Sequence, residues 1–278
     1  MRSLVCALFA ALLLPFSARS EPQREVHSQY RDGLLWLKVD GGGRSEPLNF
    51  LLDSGAGISA IDLQTARSLG LHLGNRQTVQ GVNGQCLAYR VNDFQAVSGG
   101  IVLPQSVLAI DLRALSDCCE QPVNGILGFD FFRGRIVQID FTEGRVRILE
   151  KCDPNLANCE ILPMRMCNDA FCVPVRVAGN PAQWMRLDTG CDAALEWVVS
   201  GTEKWRTGRS SIGLSGVSVR HINTSVQLGK QCFNAVPTGV HREPIFPGEA
   251  GLLGNDLLSK FRLTIDQPGN RVIFENPL

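Results

Sequence analysis

Histidine is scarce in this chain of 278 residues, with four in all, His27, His72, His221 and His241. Their spacing suggests neither a metal site nor a catalytic triad, and no Gly-x-Ser-x-Gly segment is present to supply a serine nucleophile. Charge of one sign is lacking too: 27 Lys and Arg balance 27 Asp and Glu. Aromatic residues make up only 7% of the chain, and no basic cluster stands out. Those absences argue against a nucleic-acid or anionic-membrane partner. Long apolar runs are missing after the first one, Leu4 to Phe16, which is itself too short to span a bilayer. No integral membrane span is therefore expected.

What is present is a phrase written twice. Phe50-Leu51-Leu52-Asp53-Ser54-Gly55-Ala56 returns as Met185-Arg186-Leu187-Asp188-Thr189-Gly190-Cys191, an offset of 188 − 53 = 135. In each copy an apolar, strand-like run leads into an Asp, followed by a hydroxyl residue and a Gly that lets the backbone turn where a Cβ would obstruct it. Asp, Ser, Thr and Gly are also ordinary turn residues. Chance produces such a tripeptide roughly once in two thousand positions, so two copies call for a reason. Each copy also has the same sequel. Gly125-Ile126-Leu127-Gly128, leading to Ile136–Asp140, matches Gly251-Leu252-Leu253-Gly254, leading to Phe261–Asp266. The offset is 251 − 125 = 126 at the first Gly and 266 − 140 = 126 at the last Asp, without insertion or deletion. The chain is read as an internal duplication.

On these residues both halves resemble the retropepsin-like aspartic proteases. The carriers are the hydrophobic-hydrophobic-Asp-Ser/Thr-Gly-Ala/Cys phrase, a hairpin with a Gly-rich tip, and the Gly-Ile/Leu-Leu-Gly segment that runs into a helix. The resemblance implies a mainly all-β fold of two β-barrel lobes with a short helix per lobe, joined as a pepsin-like pseudo-dimer. It implies an N-terminal lobe over 28–150, a Cys-containing linker over 151–165 and a C-terminal lobe over 166–278, and residues 1–20 read separately as a signal peptide. The leader is read from Arg2, the apolar run and Ala18-Arg19-Ser20, and it implies export to a periplasm or the extracellular space.

Within each half the pattern predicts a β-hairpin ahead of the Asp: Leu34–Val39 returning through Asn49–Leu52, and Val173–Val177 returning through Trp184–Leu187. A helix is expected from Ile61 to Gly70, with a shorter and less clear equivalent over Ala193–Val199. Two further hairpins, around Gly81, Val82, Asn83 and Gly84 and around Gly213, Leu214, Ser215 and Gly216, are the family's substrate-binding flaps by resemblance; Asn83-Gly84 suits a type I′ turn. Nine Cys remain after the leader, which suits an oxidising compartment. The spacing of Cys152, Cys159, Cys167 and Cys172 favours short disulfide-closed loops over a zinc site.

By the same resemblance Asp53 and Asp188 are the catalytic pair. Ser54 and Thr189 hold the two loops in register, Gly55 and Gly190 allow close approach to the carboxyls, and Ala56 and Cys191 complete the loops. The implied partner is a polypeptide substrate, no cofactor or metal is expected, and the working unit is a single chain with a homodimer as the alternative. Ala56 and Cys191 stand where pepsin-like enzymes place a Ser or Thr, leaving fewer donors to hold the pair's pKa values down, so the optimum is expected nearer mildly acidic or neutral pH. Arg186 shares a strand face with Asp188. It is either an ion-pair partner of that Asp or a solvent-facing cation at the sheet edge. Two other functions stay open: a peptide-binding relative without turnover, and a protease that pairs Asp53 of two chains.

Overall fold

In the computed structural model, the described residues are 24–43, 45–81, 84–152, 158–199, 208–212 and 215–276. The expected leader lies outside them, as do Val82, Asn83, Gly213 and Leu214. The first half runs β1 Arg24–Arg31, β2 Leu34–Gly41, β3 Leu48–Leu52, β4 Ala60–Asp62, α1 Leu63–Ser68, β5 Arg76–Gly81, β6 Gly84–Val91, β7 Ala96–Ser98, β8 Ile101–Val102 and β9 Val107–Ile110. It continues with α2 Arg113–Ser116, β10 Gly125–Leu127, α3 Phe129–Phe132, β11 Ile136–Asp140 and β12 Arg145–Leu149. The second half runs β13 Cys159–Pro163, β14 Arg165–Cys167, β15 Ala170–Val177, β16 Gln183–Leu187, β17 Leu195–Val198, β18 Gly208–Ile212, β19 Ser215–Leu228 and β20 Gln231–His241. It closes with β21 Gly251–Leu253, α4 Asn255–Leu258, β22 Arg262–Asp266 and β23 Arg271–Glu275. The protein is mainly β, as the alternating patterns require.

The two halves use one wiring plan. In the first, β3 pairs antiparallel with β2 and parallel with β10, and β4 pairs antiparallel with β10 and parallel with β9. In the second, β16 pairs antiparallel with β15 and parallel with β21, and β17 pairs antiparallel with β21 and parallel with β20. This explains why the Gly-Ile/Leu-Leu-Gly segment accompanies the Asp phrase. The strand it forms lies beside the strand that delivers the Asp, and the Leu127 carbonyl accepts from Asp53 N at 2.9 Å while the Leu253 carbonyl accepts from Asp188 N at 3.0 Å.

A six-strand layer, β13-β23-β22-β11-β12-β1, joins the halves. At its centre β11 pairs antiparallel with its own copy, β22, and Gln138 faces Thr264. Their separation, 264 − 138 = 126, equals the sequence offset of the repeat. Equivalent residues therefore meet across a local two-fold axis, marked by a 3.2 Å hydrogen bond from Gln138 Nε2 to Thr264 Oγ1. A continuous core runs through both halves, from Leu35, Phe50 and Phe132 to Phe171, Leu187 and Phe274, all fully buried.

Two helix expectations are corrected. Ala193–Val199 is not a helix: Leu195 to Trp197 are all buried, and β17 is a central strand between β20 and β21. In the first half the helix is shorter than expected, because Asp62 accepts from Thr65 N and so starts α1 only at Leu63, after the strand β4. Between the halves, Cys159–Pro163 forms an edge strand of the joining layer against β23.

Phe50 ties the strand that delivers Asp53 to the core, stacking on Phe94 with ring centroids 5.9 Å apart. Phe50→Ala is expected to lower the unfolding free energy by about 3–5 kcal/mol. Urea denaturation followed by tryptophan fluorescence reads this directly, and a loss below about 1 kcal/mol would show that the site collapses around the smaller side chain.

Candidate active site

Each Asp sits where a buried strand ends and the Gly turn begins. Asp53 follows β3 and Asp188 follows β16, and the two turns face each other across the local two-fold axis. Four hydrogen bonds weave the turns together. Ser54 N donates to Thr189 Oγ1 at 2.9 Å and Thr189 N donates to Ser54 Oγ at 3.1 Å. Ser54 Oγ then donates to the Leu187 carbonyl at 2.7 Å and Thr189 Oγ1 to the Leu52 carbonyl at 2.8 Å. Every member is a copy of its counterpart at the 135-residue offset of the Asp phrase. Both hydroxyls are fully buried, so each bond is made away from competing water.

The glycines follow from the same crossing. A Cβ on Gly55 would overlap the Asp188 carboxyl, and one on Gly190 would overlap the Asp53 carboxyl. Side chains are excluded there because each Asp leans over the other turn. Behind each turn a short helix starts: Phe129 N, first in α3, donates to the Ala56 carbonyl at 2.7 Å, and Asn255 N, first in α4, donates to the Cys191 carbonyl at 2.8 Å.

The two carboxyls, each packed over the other turn's glycine, interact closely enough to shift each other's titration, but their surroundings are not equal. Asp53 Oδ1 accepts from Gly55 N and Ala56 N, both at 2.9 Å. Asp188 Oδ1 accepts from Gly190 N at 2.9 Å. Burial pushes both carboxyls above the usual range, Asp188 well above it, and the Asp53 charge adds to the rise at Asp188. Arg186 pulls both back toward ionisation. The pair titrates as a unit, with the extra backbone donor favouring the charge on Asp53 and the proton on Asp188.

Residues 37–131 match the family described as aspartyl protease. This chain carries a retropepsin-like aspartyl protease domain. The aspartyl protease match includes Asp53, Ser54 and Gly55 together with Gly125–Gly128, and it ends before the second phrase. No curated protein matches the sequence.

The hairpins expected as flaps of the aspartyl protease domain and its repeat are strand pairs. Gly81 faces Gly84 at the end of β5 and β6, and Ser215 faces Ile212 at the end of β18 and β19, with Gly216 opposite Ser211. Cys191 is 9% exposed among Val219, Ile245 and Leu252, and burial holds its thiol well above the usual range. It fills space as a neutral apolar group. Among the described residues the disulfide-closed loops are not found: Cys159, Cys167 and Cys172 are thiols.

Both readings of Arg186 need correction. Its side chain is 2% exposed, so it does not face solvent, and its ion-pair partner is not Asp188. Nε and Nη2 form a fork on Glu249 at 2.7 and 2.6 Å, and Nη1 donates to the Gly55 carbonyl at 2.6 Å. Glu249, 63 residues away, was not singled out from sequence. The available signal was an Arg inside an apolar strand, which demands a buried carboxylate somewhere. Asn255 was missed as well; its Nδ2 donates to the Thr189 and Gly33 carbonyls, both at 2.7 Å.

A raised carboxyl makes the folded state hold a proton that the unfolded state releases near pH 4, so stability falls as pH rises above that value. Asp188→Asn removes this cost. Its urea midpoint is expected to exceed wild type at neutral pH, with the gain fading as pH falls toward about 4. An equal midpoint at neutral pH would contradict the raised carboxyl.

Proposed function

We propose that the protein is an aspartic endopeptidase in which a single chain supplies both carboxyls, Asp53 from the family-matched half and Asp188 from its repeat. The observation that carries this reading is the reciprocal Ser54–Thr189 bonding, which sets the two carboxyls against each other with copied geometry. In this reading residues 28–150 and 166–278 are two retropepsin-like lobes of a pepsin-like pseudo-dimer.

The unequal donors assign the roles. Ionised Asp53 takes a proton from a water as that water attacks the scissile carbonyl. Protonated Asp188 hydrogen-bonds the carbonyl oxygen and gives up its proton as the tetrahedral centre forms. Collapse returns a proton to the leaving amine and frees the acid product and the amine product. The β5–β6 and β18–β19 hairpins close over an extended substrate and bond its backbone, which accepts many sequences. Peptide hydrolysis by water needs no cofactor or resident metal. The apolar run Leu4 to Phe16 supports export of the enzyme, and no helix among the described residues is long and apolar enough to cross a membrane.

Cleavage of an unbiased peptide mixture across a pH series tests the reading. Wild type is expected to cleave, and Asp53→Asn and Asp188→Asn are each expected to lose at least about a hundredfold in kcat/KM, the scale of a missing acid or base. Because burial raises both carboxyls, the rate maximum is expected at mildly acidic to neutral pH. A maximum below about pH 3, or full activity in Asp188→Asn, contradicts the two-lobe dyad.

A further inference from the structure

The phrase before the second Asp departs from the first in one respect: Arg186 stands where the first copy has Leu51. A guanidinium in a buried strand needs every donor met. Here the fork takes both oxygens of Glu249, which is 2% exposed in its side chain, and the third nitrogen reaches across the axis to the carbonyl of Gly55. Glu249 is itself held by Asn168 Nδ2, at 2.8 Å from its Oε1. The Phe246 ring covers the guanidinium, with Cζ 3.5 Å from the ring centroid. The loop 246–249 and the turn at Gly55 thus converge on one cation, with Asn168 bracing Glu249 from a third segment.

We propose that Arg186, locked by Glu249, is the positioning residue of the Asp53–Asp188 pair: it grips the turn that carries Asp53 and sets a fixed positive charge beside both carboxyls. The inference deepens the dyad reading and rests on those carboxyls sharing a proton. Gly55 is the residue whose N–H bonds Asp53 Oδ1, so a hold on its carbonyl also steadies that donor. The single bond crosses from the second half to the first, and the first half has no equivalent, because Leu51 is apolar. That asymmetry adds to the extra backbone donor on Asp53 and gives the two turns different tasks.

The groups facing Arg186 leave it as the cation that acts on the pair. Cys172, its register partner on β15, is a buried thiol pushed up by that burial and carries no charge. Cys191, beside Asp188 in the chain, is held neutral in the same way, although the Glu196 carboxylate lies near it. Glu249 faces the guanidinium.

The test is an NMR titration of the Asp side-chain carboxyl carbons, assigned with Asp53→Asn and Asp188→Asn. It compares wild type with Arg186→Met/Glu249→Met, which replaces the buried ion pair by apolar side chains of similar length and so is chosen to keep the fold. Removing a cation beside a carboxyl raises its pKa, and the pair's titration is expected to move up by about one pH unit. Glu249→Gln, which keeps the cation, is expected to leave the titration at or below wild type. An unmoved titration in the double variant overturns the proposal. So does an equal rise in Glu249→Gln, because that traces the shift to lost packing. Peptide cleavage by the same samples separates the two readings: a wild type that cleaves nothing while its carboxyls shift as described supports the positioning role and sinks the catalytic one.

Discussion

Two buried hydroxyls, on Ser54 and Thr189, carry the structure's central constraint. Each must donate to the carbonyl before the partner Asp and accept from the partner's own backbone N–H, and the geometry closes only if the two turns meet about an axis. A buried group left unpaired costs about 1–3 kcal/mol, so a slip of either turn is strongly disfavoured. The pairing of β11 with its copy β22 serves the same axis from below, through Gln138 and Thr264. Once these contacts form, the Asp carboxyls have nowhere to go but toward each other, over glycines that admit no side chain.

Copied geometry yields uncopied chemistry. Two carboxyls in a low-dielectric site favour a single shared charge, and small differences between the turns decide where it rests. Ala56 donates to Asp53, while the buried Arg186 reaches from the second half to the first. Duplication supplies the scaffold, and the places where the copy is broken make the surroundings of the two carboxyls unequal.

Much of this was legible before any coordinates. The 135- and 126-residue offsets exposed the duplication, and apolar alternation placed β2, β3, β15 and β16. Sequence failed where burial overrides local pattern. Ala193–Val199 has no clean period because β17 is buried on both faces, and strands of that kind resemble short helices. The linker strand Cys159–Pro163 owes its form to pairing with β23, more than a hundred residues on, which no local signal announces. Arg186 was noticed, but its partner Glu249 lies in a loop after β20, and nothing near either residue points to the other.

The most direct measurement of the single-chain account is specific peptidase activity against protein concentration, with the mass of the active species determined in parallel. A site completed within one chain predicts activity per molecule that stays constant on dilution and runs with the monomer. Activity that falls away on dilution and runs with a dimer would mean that two chains pair their Asp53 residues, and it would contradict the account.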